Sequence, residues 1–216
     1  MKSDKNKPWS THKQWIKNPN LVPPPELIAD TIAEKIPPEQ KRDRCLFALI
    51  YLTAGRISEL VNFVEYKSKV KYPGIIPKDI NIVEYRNKDG TVTDVLRINL
   101  RNLKNRNLGS KTLPISLNIA SNKAIWELAR PYYEQCRGSQ FLIDEPMFPI
   151  SSERVRQLGK TYFGFGCHVW RHFRLTNLYV LNNLNEVQMV KAAGWSNTNP
   201  LLRYVHMKVE DLINKL

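Results

Sequence analysis

Apolar positions recur at two different periods, and the switches between them divide the chain into three stretches. From Glu26 the spacing is helical: ELIADTIAEKI, a Pro37-Pro38 break, then KRDRCLFALIYLTAG, whose apolar run ends at a glycine suited to a helix C-terminus. RISELVNFV keeps that spacing through Ile57, Leu60, Val61 and Val64, and so sets Arg56 and Glu59 three apart on a neighbouring face. Residues 65 to 79, with a Pro-Gly pair, predict a connecting loop. The period then drops to two in INIVEY, in TVTDVLRINL after a turn at Lys88-Asp89-Gly90, and in KTLPIS after the polar bend RNLKNRNLGS. Helical spacing returns in NIASNKAIWELARPYYEQC, in SSERVRQLGKTYF with serines fit for N-caps, in HVWRHFRLTNLYVLNN and in VQMVKAAG, which stops at Gly194. Pro200 suits the first turn of a last helix, capped by Thr198 or Asn199 and carrying Tyr204 one turn inside its start. The expected fold class is α+β: a mostly helical body with a small three-stranded antiparallel sheet at one edge.

Composition narrows the partners. The 216 residues are 42% apolar, enough for one real core, and no internal repeat marks a second. Residues 1–25 hold five lysines, two tryptophans and a closing triple proline without sustained period, and predict a basic, extended arm before a domain at 26–216. Lys and Arg number 33 against 20 Asp and Glu, a net charge of +13, which favours a polyanion and first of all nucleic acid. A membrane surface is disfavoured because eighteen successive apolar residues and a convincing basic amphipathic segment are both absent from the sequence. The N-terminus lacks the apolar core of a secretory signal, and Cys45, Cys136 and Cys167 are odd in number and far apart, so a reducing cytoplasmic compartment is expected.

Each polar motif has a bland reading when taken singly. HVWRH sets His168 and Arg171 on one helical face and His172 one turn from His168, an arrangement that a structural hydrogen bond explains. Two histidines at that spacing could hold zinc, but no glutamate follows the first and a third ligand is not evident, so no metal is expected. Arg56 with Glu59 fits a surface ion pair, Lys104 a solvated turn lysine, and Trp195 and Tyr204 core aromatics.

The order of these motifs is more informative than any one of them. AGRISE, a lysine in a strand-to-strand bend, H-x-x-R-H, then Gly-Trp and a tyrosine nine residues after the tryptophan resemble the catalytic domain of the tyrosine recombinases, the lambda-integrase-like family, over residues 26–216. The resemblance implies a site-specific recombinase or integrase that cleaves and rejoins double-stranded DNA at a specific target through a 3′-phosphotyrosine, with no cofactor, metal or ATP. It implies that Arg56 and Arg171 clamp the scissile phosphate, with Glu59 orienting Arg56, because planar guanidinium forks match phosphate oxygens at any working pH. His168 would assist proton removal, Trp195 would supply an indole donor where relatives often carry histidine, Tyr204 would be the nucleophile, and Lys104 would protonate the leaving oxygen. Relatives place that lysine about eight residues before a proline. Lys104 lies ten before Pro114, so Arg106, at eight, and Lys111 stay open as rivals. Arg101, Arg106, Lys111, His172 and Arg203 are expected on the DNA backbone. Relatives commonly carry a helical core-binding domain before the catalytic one; no separate one is expected within 1–216, which would make the chain either a fragment of a longer recombinase or a natural minimal enzyme. After Tyr204 an apolar stripe of Leu212, Ile213 and Leu216 could pack at home or on a neighbouring protomer in a tetramer on DNA. Nucleoid association would follow. Two other functions remain: a regulator or minimal fragment that occupies recombination sites without chemistry, and a type IB topoisomerase.

Overall fold

The structure is a computed structural model that describes residues 22–64, 71–101, 109–140, 142–180 and 182–201. Helix α1 (Pro25–Lys35) starts on a proline whose fixed φ suits a first turn, and buries Ile28, Ala29 and Ile32 at helical spacing. Arg44 ties its C-terminal end down by donating to the carbonyls of Ile36 and Ala33, at 2.8 Å each. Helix α2 (Lys41–Thr53) is buried at every position from Cys45 onward, as expected of a helix apolar on all sides. It packs between α4 (Ala120–Gly138) and α6 (His168–Val180).

Three strands form the expected antiparallel sheet in the order β3 (Ile80–Arg86), β4 (Val92–Arg101), β5 (Ser110–Ser116). Ile80 faces Ile98, and Ile98 in turn faces Leu113. The inward face is Leu96, Ile98 and Leu100 of β4 with Leu113 and Ile115 of β5, all buried. Helix α5 (Ser152–Phe163) begins at Ser151, whose hydroxyl accepts from the Arg154 N–H at 3.1 Å, and stops at Gly164 with φ 75°. Helix α7 (Glu186–Ala193) opens on a reciprocal Asn185–Gln188 cap and closes at Gly194, φ 64°. Among the described residues no helix is long and apolar enough to cross a membrane. The cysteines are buried and free.

Three local expectations need correction. RISELVNFV is helical only over α3 (Ile57–Leu60); Phe63–Val64 forms β1, paired antiparallel with β2 (Lys71–Tyr72) inside the stretch expected to be loop. The cause is tertiary. The Ile75 N–H takes the Leu60 carbonyl at 3.1 Å, and Gly74, at φ 76°, lies so close that a Cβ there would meet Leu60 O at 2.6 Å. The same stretch holds a 3-10 turn at Pro77–Asp79. Finally, α2 ends not on glycine but on Ala54, which takes the left-handed conformation at φ 46°. Gly55 is required for space instead: a Cβ there would lie 2.7 Å from Thr53 Oγ1.

Candidate active site

The site is built where the ends of α2 and α7 meet α6 and β5. Arg56 occupies the N-cap of α3, and the α3 turn brings Glu59 back onto it: one carboxylate oxygen accepts from the Arg56 backbone N–H at 3.0 Å and the other from its guanidinium at 2.8 Å. The pair is not the exposed surface bridge of the bland reading, since Glu59 is 2% exposed. Its carboxylate has a second cation, Lys111 of β5, whose ammonium lies 3.4 Å away and 8% exposed.

Arg171 enters from α6 and is 4% exposed. One of its guanidinium nitrogens donates to the Ala54 carbonyl and another to that of Ala193 at 2.8 Å. Those carbonyls close α2 and α7, where the backbone leaves acceptors unpaired and the helix dipole is negative. Arg171 therefore staples together the loop leading to Arg56 and the turn leading to Trp195. Trp195 is half-buried, packed on a small apolar cluster with Ala54, Leu175, Tyr179, Met189, Ala193 and Leu201.

At Arg56 opens a concavity of about 530 Å³ whose rim includes Gly55, Arg56, Ser58, Ser152, Arg156 and His168. His168 is exposed at the start of α6, with its ring edge-on to His172 at 4.6 Å between centroids. Arg101 is exposed at the end of β4. Lys104 and Arg106, in residues 102–108, lie outside the described residues, as do Arg203, Tyr204 and the apolar stripe in 202–216 and the arm over 1–21. The described chain reaches Leu201, three positions before Tyr204.

Burial pushes the Lys111 amine down to about 8; Glu59 opposes the shift, while Arg171 and then Arg56 add to it. Both arginines thus act on one ammonium, and two cations, Arg56 and Lys111, share a single carboxylate. The burial of Lys111 was open to a closer reading of the sequence: period two puts it on the face of Leu113 and Ile115. Arg156, one α5 turn into the same concavity and paired with Glu153 at 3.0 Å, carried no such signal.

The fold is that of the tyrosine recombinase catalytic domain. Two solved structures carry the comparison: XerH site-specific recombinase bound to difH substrate in a pre-cleavage complex (TM-score 0.55, 15% identity, 88% of this chain and 50% of that one), and XerH bound to palindromic difH in a post-cleavage complex (TM-score 0.59, 14% identity, 97% and 52%). The chain thus spans about half the length of these proteins. No family model matches the sequence, and no curated protein matches it.

Proposed function

We propose that this chain is the catalytic part of a site-specific DNA recombinase that breaks and rejoins double-stranded DNA at a specific target through a covalent tyrosine ester. The observation that carries the reading is that Arg56 and Lys111 share the one carboxylate of Glu59, with Arg171 close enough to act on the same ammonium, beside a concavity that Arg56 and His168 share. Arg56 and Lys111 divide the single negative charge of Glu59 between them, and a phosphodiester and its transition state would supply further negative charge to the guanidinium of Arg56.

In this mechanism the phenol oxygen of Tyr204 attacks the phosphorus and the bond to the 5′ oxygen breaks. The phenol proton leaves through His168, and the departing 5′ oxygen takes a proton from Lys104. Arg56 and Arg171 hold the nonbridging oxygens throughout. Phosphodiester energy stays in the 3′-phosphotyrosine, so a second strand's 5′ hydroxyl reverses the step with neither ATP nor a metal. Strand exchange between two duplexes calls for four protomers on DNA.

The test is a suicide duplex, nicked beside the scissile phosphate and carrying the site this protein protects from nuclease. A covalent protein–DNA species should accumulate with the wild-type chain and vanish with Tyr204→Phe. Binding without any trapped species would favour the regulator, and relaxation of supercoiled plasmid lacking the site would favour the topoisomerase.

A further inference from the structure

The steps just described use Arg56 and Arg171 on the phosphate and give Lys111 no part in making or breaking a bond. Its surroundings are unusual for a lysine. The ammonium is buried, stands at ion-pair distance from Glu59 without the alignment of a hydrogen bond, and has no hydrogen-bond partner among the described residues. Along the sheet it offers nothing else: Lys111 sits opposite Leu100 on β4 and shares its inward face with Leu113 and Ile115. The charged groups that act on it are Glu59 of α3, Arg56 at the cap of that helix and Arg171 of α6. It must therefore share one carboxylate with Arg56 while two guanidinium groups repel it. Burial first, and the two guanidinium groups after it, hold such an ammonium near the point of losing its proton, and a negative charge arriving at the guanidinium groups would relieve the second part.

We infer that Lys111 is a positioning residue whose proton is coupled to occupancy of the site: when a backbone phosphate enters beside Arg56 and Arg171, the Lys111 amine takes a proton from solvent and the resulting ammonium braces Glu59, leaving the Arg56 guanidinium to the phosphate oxygens. No covalent bond other than N–H forms. This rests on the proposed recombinase reading, because the anion is the DNA phosphate. With the amine at about 8, the empty site holds about half of this proton at pH 8, so binding there should draw in up to about half a proton. Linkage then makes affinity fall about fivefold between pH 8 and pH 9, where the empty site loses the proton faster than the filled one. His168 and His172 are kept in the Lys111 variants, so any proton that they take up on binding is common to all three proteins and cancels in the comparison.

Calorimetric titration of the full chain carrying Tyr204→Phe with a short duplex, at pH 8 in buffers of different ionisation heat, reads the proton uptake directly. Uptake should exceed that of Lys111→Arg and Lys111→Met by up to about half a proton, and the affinity drop between pH 8 and pH 9 should be lost in both variants. Equal uptake in all three overturns the inference. In case a variant fails to fold, carbon-13 labelling at lysine Cε follows the wild-type amine itself: its midpoint should rise on adding duplex, and an unmoved midpoint overturns the inference equally. Failure of any form to bind duplex DNA would instead overturn the recombinase reading beneath it.

Discussion

Replacing Lys111 with methionine should stabilise this protein at neutral pH, although it removes one partner of a buried ion pair. Such removals usually cost several kcal/mol because the surviving charge is left alone. Here the survivor, Glu59, keeps two contacts with Arg56, at 3.0 and 2.8 Å, so it is not orphaned. What disappears is the cost of burying an ammonium. Displacement of the amine from 10.5 to about 8 corresponds to about 3 kcal/mol at about 1.4 kcal/mol per unit, and the side chain is too buried for solvent to screen much of it. The cost applies in full below pH 8. Between about 8 and 10.5 the unfolded chain still binds a proton that the folded chain has released, so wild-type stability rises with pH through that window, while the methionine variant lacks this rise. Buried phenols such as Tyr51 push the other way at high pH, but they are common to both proteins and cancel in the difference. Urea denaturation of both proteins at pH 7, 8, 9 and 10, followed by tryptophan fluorescence, should show an advantage of about 3 kcal/mol for Lys111→Met at pH 7 that closes by pH 10 to 11. A difference independent of pH, or a variant several kcal/mol weaker at pH 7, would refute the reasoning.

Two further substitutions test the scaffold. Arg171→Lys keeps the charge but one ammonium cannot serve the carbonyls of Ala54 and Ala193 together, so it should cost about 2 kcal/mol of stability in urea and lower the rate of covalent-complex formation at least about hundredfold; unchanged values in both assays would remove Arg171 from its place as the staple. Gly55→Ala should cost about 1–3 kcal/mol through its clash with Thr53 Oγ1, and adding Thr53→Ala should return part of that loss, which a double-mutant cycle measures.

The periods of apolar residues marked the three-stranded sheet and most of the helices, with caps at Ser151 and Gly194 where side-chain chemistry requires them. These signals are local: a serine oxygen reaches an N–H three residues on, and a strand's inward face is written at every second position. The early end of α3 was not legible, because the Leu60 carbonyl is taken by Ile75, fifteen positions away, and no local pattern carries that bond. The left-handed residue after α2 was misplaced for a similar reason. Thr53, Leu60 and Leu100 crowd Gly55, so the glycine answers a packing demand and Ala54 takes the φ.

For the candidate site the division is sharper. The amino-acid order alone settled which residue types are present and how Arg56, Glu59, His168 and Arg171 are spaced, since helical periodicity governs neighbours three and four apart. Only the tertiary structure decided that Glu59 would be buried between Arg56 and a lysine from another element, and that Arg171 would join two helix ends 139 positions apart, from Ala54 to Ala193. The physical reason is that charge and burial belong to space and not to sequence distance. Alternation alone places Lys111 on an inward face, but it is the fold that buries its amine, which lowers it most, and that sets two guanidinium groups to push it lower against one carboxylate.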